Sequence, residues 1–294
     1  MLNVGVVGLK DGWSTQQLLH ALERHGAAVR MIDIGATRLD LHARRGYCGE
    51  FDLGELDALV VKKLGESYCR ELGDRLACLR MIEGFGVRVF SRPVSMRRVL
   101  DRLSCTVSLS LADVPIPPTV ITECAEEAVA AVRRFGKAVL KPLYSSKARG
   151  MIVVDGADHA RDAVVAFQTA GNGTIYVQKL LELPGRDLGL VFCGGRFVKC
   201  YARVGRSGSW NTTVHAGGRY EPHEPSDALI ALARRAQAPF DLDFTCVDIA
   251  ETADGPVVFE VSAFGGFRGL WEAWSFDAAD VYAAHVIRSL SDDG

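Results

Sequence analysis

The chain has 294 residues, 48% hydrophobic and 24% charged, more than one compact core takes up, so two or three packed domains are expected. A formal net charge of -2, with no long run of lysine or arginine, excludes a protein held electrostatically on nucleic acid or on an anionic membrane. The first apolar stretch, Leu2 to Leu9, is interrupted by Asn3 and followed by Lys10 and Asp11, too short for a membrane span or a signal peptide.

The eight cysteines never form a CxxC pair and read as free thiols, which suits a reducing cytoplasm. The expected partners are small molecules or a peptide terminus, and assembly into a homo-oligomer is left open.

Val4 to Gly8 reads as a strand that passes through Lys10, Asp11 and Gly12 into Ser14-Thr15, whose hydroxyls are expected to cap a helix running to about His25. Val29 to Ile34 and Leu56 to Val61 read as strands, Glu66 to Gly84 as a helix, and Val87 to Phe90 as another strand. This alternation implies an open parallel sheet. Gly5-Val6-Val7-Gly8 lacks the third glycine of a dinucleotide fingerprint, which argues against a nicotinamide cofactor.

A helix is expected from about Ser95 to Ala112, before Pro115-Ile116-Pro117-Pro118 marks a domain junction. Next come a helix near Glu126 to Phe135, strands at Ala138 to Pro142 and Met151 to Val154, a helix near Asp158 to Ala170, and a strand at Ile175 to Lys179. Strands then dominate from Asp187 to Val204, before a helix at Ser226 to Ala238, two strands ending near Ile249 and Ser262, and a terminal helix from Asp277 to Leu290. The implied domains are residues 1–92, 93–180 and 181–294.

Chemistry concentrates in two places. Asp248 lies in a strand-like run, and Glu260 and Ser262 close the next one after a turn near Asp254-Gly255. Because side chains alternate along a strand, Glu260 and Ser262 share a face, and a hairpin brings Asp248 opposite them. Oxygen ligands of this kind suit magnesium, which takes one or two protein carboxylates and completes its shell with phosphate and water. The same residues also suit a hairpin with solvated acids. Upstream, Lys141 ends an apolar strand and is followed by Ser145-Ser146-Lys147-Ala148-Arg149-Gly150, a loop suited to covering phosphates or to a plain surface turn.

In order and spacing these blocks resemble the ATP-grasp superfamily over the stretch from about Asp101 to Ser262. Val177-Gln178, Pro184-Gly185-Arg186-Asp187 with Gly194-Gly195, Arg203, Val214-His215-Ala216-Gly217-Gly218, and Val247-Asp248 with Glu260-Val261 resemble its RimK-like branch of carboxylate–amine ligases. The resemblance implies an α/β ATP-grasp fold, with an N-terminal open parallel sheet and two α+β lobes holding ATP between them. It implies that Lys141, Arg102 and the loop residues Ser145, Ser146 and Lys147 meet phosphates, that Gln178 and Lys179 form the hinge beside adenine, and that Asp187 accepts from the ribose. Arg203 would face the transferred phosphoryl group, with Asn211 also in the nucleotide set. Asp248, Glu260 and Ser262 would hold magnesium, as one or two ions with manganese as a substitute.

The sequence departs from the family pattern at several positions. Ser145 and Ala148 replace loop glycines, Lys179 replaces an acid, Gly189 stands where arginine is common, Asn211 and Thr213 replace arginine and asparagine, and Ser262 replaces asparagine. The implied reaction phosphorylates a carboxylate, and an amine then attacks the acyl phosphate. Glutamate or a related amino acid is the favoured amine, and a glutamyl-type carboxylate on a peptide, protein or small cofactor the acceptor, a pterin or furan one-carbon carrier among the options. Lys10, Trp13 and Lys63 are candidates to hold an anionic acceptor. The alternative is a non-catalytic ATP-binding regulatory protein.

Overall fold

The computed structural model describes all residues except 157, 207–209, 214–216 and 293–294. Val214, His215 and Ala216 of the block Val214-His215-Ala216-Gly217-Gly218 therefore lie outside the described residues.

The chain opens with β1 (Asn3–Val7), α1 (Trp13–Arg24) and β2 (Ala28–Ile32). Helix α1 starts one residue before Ser14, with Gly12 as its N-cap and no side-chain cap. Thr15, expected to cap it, instead accepts from the Leu9 backbone N–H at 3.2 Å. A small antiparallel meander follows, β3 (Thr37–Asp40), β4 (Arg45–Cys48) and β5 (Phe51–Asp52), which the polar sequence did not announce. After β6 (Ala58–Val61), α2 (Leu72–Gly84) and β7 (Arg88–Phe90), the parallel sheet closes in the order β2-β1-β6-β7. Its apolar residues, Val4, Val6, Leu59 and Val60 among them, are buried, as a parallel sheet covered by helices requires.

Helix α2 begins at Leu72 rather than Glu66. The preceding segment stays irregular because Tyr68 packs against the core and Arg75 donates to the Leu64 carbonyl. The single helix expected between Ser95 and Ala112 is two, α3 (Pro93–Leu100) and α4 (Arg102–Leu111). Asp101 breaks them with an extended backbone (φ -117°, ψ 153°), and its carboxylate caps α4 by accepting from the Ser104 N–H at 2.7 Å. That break places Arg102 at the first position of α4.

In the central lobe β8 (Thr119–Thr122), α5 (Ala125–Phe135), β9 (Lys137–Lys141), β10 (Ile152–Asp155), α6 (Ala160–Thr169) and β11 (Ile175–Lys179) form an antiparallel sheet of order β10-β9-β11-β8. Val132, Val164 and Phe167 of its helices pack on Leu140 and Val177.

The last sheet, in the order β14-β13-β12-β15-β16, is antiparallel: β12 (Arg186–Cys193), β13 (Arg196–Val204), β14 (Arg219–Pro222), β15 (Phe244–Thr252) and β16 (Gly255–Ser262). Leu188, Leu190, Val247 and Ile249 face one core with Leu229 and Leu232 of α7 (Asp227–Gln237). On the opposite face Val191, Tyr201, Phe244 and Cys246 meet α8 (Phe267–Trp274), a helix not foreseen, and α9 (Ala278–Asp292). All eight cysteines are free. Among the described residues no helix is long and apolar enough to cross a membrane. The mixed α/β architecture, a parallel sheet followed by two antiparallel ones, has the expected order of an N-terminal open parallel sheet and two α+β lobes.

Candidate active site

A cleft of about 500 Å³ opens where the three sheets meet, lined by Lys141, Ser146, Lys147, Gln178, Lys179, Asp187, Arg203, Asn211, Asp248, Glu260 and Ser262. Arg102 also lines it, and Ser145 stands behind, its hydroxyl 3.4 Å from the Arg102 guanidinium.

The two carboxylates meet through register. Asp248 on β15 is the cross-strand partner of Glu260 on β16, and a bulge follows between Asp248 and Ile249. Ser262 lies two residues on, opposite Cys246, and its hydroxyl accepts from the Phe264 N–H at 3.3 Å. Among the described residues no cluster of three or more histidine, cysteine or acidic side chains forms a metal cage. The donor set is a facing carboxylate pair with a nearby hydroxyl, all oxygen, which fits magnesium completed by phosphate and water. Burial pushes the Asp248 carboxyl up to about 6, and Arg203 opposes that rise. A carboxylate so placed benefits from a cation.

Arg203 supplies that cation here. Its Nε donates to both Asp187 oxygens at 3.1 Å, and its Nη2 reaches Asp187 and lies 2.9 Å from Asp248. Asp187 also accepts from the Thr212 hydroxyl at 2.5 Å. Asp187, expected at the ribose, is therefore already paired inside the cleft with the arginine expected at the phosphoryl group.

Lys141 is buried at the end of β9, bonded through Nζ to Gln178 Oε1 at 2.5 Å. Burial, then repulsion from Arg102, brings its ammonium down to about 7, with Glu260 pulling the other way. Gln178 donates onward to Thr119 Oγ1 and the Tyr176 hydroxyl, so its side chain braces Lys141. The backbone N–H groups of Lys179, expected at the hinge, and of Leu180 donate to the Pro118 and Lys137 carbonyls at 2.9 and 3.0 Å. Arg102 Nη1 lies 3.7 Å from Glu260. In the loop, Lys147 and Ala148 both take φ of +58°, the left-handed backbone that glycine adopts freely.

Sequence reasoning missed Tyr201. Its ring is gripped between Gly189 and Gly269, where an added Cβ on either would come within 2.4 Å, and its hydroxyl sits 3.5 Å from Cys246 Sγ. Tyr201 thus fills the space beside Gly189, where an arginine was expected. The signal was available: Tyr201 is two residues before Arg203 on one strand, hence on the same face. Lys63, Tyr68, Phe264 and Arg268 also line the cleft. Neither Lys10 nor Trp13 is among the cleft-lining residues; Trp13 packs at a tilt against Trp271 and lies under the guanidinium of Arg268, which does line the cleft.

The tetrahydromethanopterin:alpha-L-glutamate ligase of Methanosarcina acetivorans is 24% identical over 303 residues, covering 92% of this chain and 94% of that protein. Among solved structures, a RimK domain ATP-grasp protein from Sphaerobacter thermophilus superposes with a TM-score of 0.75 at 22% identity, covering 97% and 99% of the two chains. The ATP-grasp ligase PsnB, complexed with a precursor variant, magnesium and ADP, superposes with a TM-score of 0.77 at 19% identity, covering 98% of each chain. The family model for the RimK-like ATP-grasp domain matches residues 99–286, the stretch that supplies nearly every cleft residue described above, and the chain belongs to that family of ATP-dependent ligases.

Proposed function

We propose that this protein joins glutamate, or a closely related amino acid, to a glutamyl-type carboxylate through an acyl phosphate formed from ATP. The observation that carries the reading is the facing pair Asp248 and Glu260 beside the buried Lys141 and the half-buried Arg102 and Arg203 in one cleft. The relatives' glutamate-ligase names support the choice of amine, and the pterin named for them makes a small cofactor the favoured acceptor over a peptide.

In this reading the γ-phosphate lies between Lys141 and Arg203, whose charges neutralise the transferring group. Arg102 at the start of α4 holds the loop through Ser145 and keeps positive charge beside Glu260. Asp248 and Glu260, with Ser262 beside them, would hold magnesium, which when bound would supply positive charge to screen the phosphates. Asp187 releases Arg203 to the phosphate and turns to the ribose, giving up the arrangement in which it accepts from both Arg203 and the Thr212 hydroxyl. Gln178 keeps Lys141 aimed into the cleft. Lys179 and the apolar hinge residues Leu180, Leu181 and Leu183 enclose the base, and Asn211 and Lys147 close over the nucleotide. Water exclusion protects the acyl phosphate until the amine attacks.

The test is ADP release dependent on a carboxylate acceptor, with hydroxylamine present to trap the acyl phosphate as a hydroxamate. Hydroxamate formation that Glu260→Gln abolishes supports the ligase. Tight ATP binding with neither ADP nor hydroxamate across glutamyl acceptors and cofactor extracts supports instead the non-catalytic regulatory reading, which Ser262 in the asparagine position favours.

A further inference from the structure

The buried and half-buried cations of the cleft differ in one respect. Arg203 is held by Asp187 and Asp248, Arg102 faces Glu260, and Lys141 is bonded to Gln178. Lys63 is half-buried just beyond β6, and among the described residues no carboxylate or hydrogen-bond acceptor meets its ammonium. Its Nζ lies 5.8 Å from the Phe264 ring centroid. Burial first, and then the like charge of Lys147, lowers its ammonium below the usual lysine range. A partly desolvated cation that feels the like charge of Lys147 and meets no acid among the described residues calls for an anion from the ligand.

The position of Lys63 indicates which anion. The base end of the cleft is the hinge at Lys179 to Leu183, and the phosphate end is Lys141, Arg102 and Lys147. Lys63 belongs to a third wall with Tyr68, Phe264, Gly265 and Arg268. Along β16 the chain passes Glu260 and Ser262 and two residues later reaches Phe264, so this wall adjoins the carboxylate pair. The neighbouring Lys62 fixes the wall. It is buried, donates to the Phe264 carbonyl at 3.0 Å and packs 3.8 Å from the Phe267 ring centroid, so that of the two adjacent lysines Lys63 is the one that lines the cleft, on the same wall as the exposed Arg268.

We infer that Lys63 binds a carboxylate of the acceptor, so that the acceptor carries at least two acid groups, one reacting beside Asp248 and Glu260 and one held on Lys63. This inference rests on the ligase reading. It makes Lys63 a specificity-determining residue that rejects neutral and singly acidic acceptors.

Acetylation by N-hydroxysuccinimidyl acetate, read at Lys63 by peptide mass spectrometry, tests it in the full chain. The arms are no addition, ADP with magnesium, and ADP with magnesium plus either N-acetyl-L-glutamate or its dimethyl ester. The expected result is labelling slowed about tenfold by saturating N-acetyl-L-glutamate, and unchanged by the ester or by ADP with magnesium. Protection by ADP with magnesium alone would assign Lys63 to the nucleotide and overturn the inference. Absence of protection by N-acetyl-L-glutamate would overturn it as well. Calorimetry of ADP with magnesium on the same sample separates the two readings: binding heat without acceptor protection sinks only the Lys63 assignment, whereas absence of heat sinks the ligase site itself.

Discussion

Arg203 lies 2.9 Å from Asp248 while its Nε grips Asp187 through both carboxylate oxygens, so one guanidinium neutralises two acids of the cleft. The register makes this possible: Asp187 opposes Arg203 on β13, and Gly189, two residues along β12, opposes Asp248 on β15. The arrangement predicts that Arg203→Met leaves two largely buried carboxylates without a countercharge. Stability measured by urea unfolding at neutral pH should fall by about 3 kcal/mol. Magnesium without nucleotide should restore more stability to the variant than to the wild type. A variant as stable as wild type would show that Arg203 is not the internal counterion.

Lys141 predicts a proton effect. Its ammonium, brought down to about 7 by burial, is mostly neutral at pH 8 in the free protein. Phosphate oxygens restore its charge, so nucleotide binding at pH 8 should take up about one proton. The sign also holds for folding: a depressed lysine costs stability below about 7, and the cost disappears as pH rises from there toward the unfolded value. Calorimetry in buffers of different ionisation enthalpy measures the uptake, which Lys141→Met should remove. Proton release, or none, would place the phosphates elsewhere.

The Tyr201 ring leaves no room beside Gly189 or Gly269, with an added Cβ 2.4 Å from ring atoms in both cases. Gly189→Ala and Gly269→Ala should each destabilise the fold by about 1–3 kcal/mol through overpacking. Pairing either with Tyr201→Leu should recover part of the loss, read as non-additive unfolding free energies. Additive losses would mean that the ring moves aside freely.

Ala148 holds a φ of +58° without being glycine. Ala148→Gly should relieve about 1 kcal/mol of local strain and lower the Kd for ATP with magnesium, measured by calorimetry. Weaker binding would show that the loop needs the stiffness that alanine gives it.

Some of this site was legible before any coordinates, for physical reasons. Strand alternation and a Gly255 turn are local, so Asp248 facing Glu260 followed from them, and Lys141 at the end of an apolar strand was equally local. The break at Asp101 was hidden because apolar residues recur at helical spacing on both sides of it, and only the cap to Ser104 reveals it. The meander from Thr37 to Asp52 carries arginines and aspartates in place of an apolar alternation. The Arg203 network and the Gly189–Tyr201 contact depend on the register of β12, β13 and β15: a bulge at Val191–Phe192 offsets the pairing that the short Gly194-Gly195 turn alone would set, and β15 reaches β12 only after a long intervening stretch of chain.

The central claim is that this cleft makes an amide. Purified protein incubated with ATP, magnesium, glutamate and a fractionated cofactor extract should yield an acceptor heavier by one glutamyl residue, with ADP formed in equal amount. The gain should disappear with Lys141→Ala and with Glu260→Gln. An acceptor phosphorylated but never extended, or ADP formed with no mass gain in any fraction while ATP binds tightly, would contradict the account.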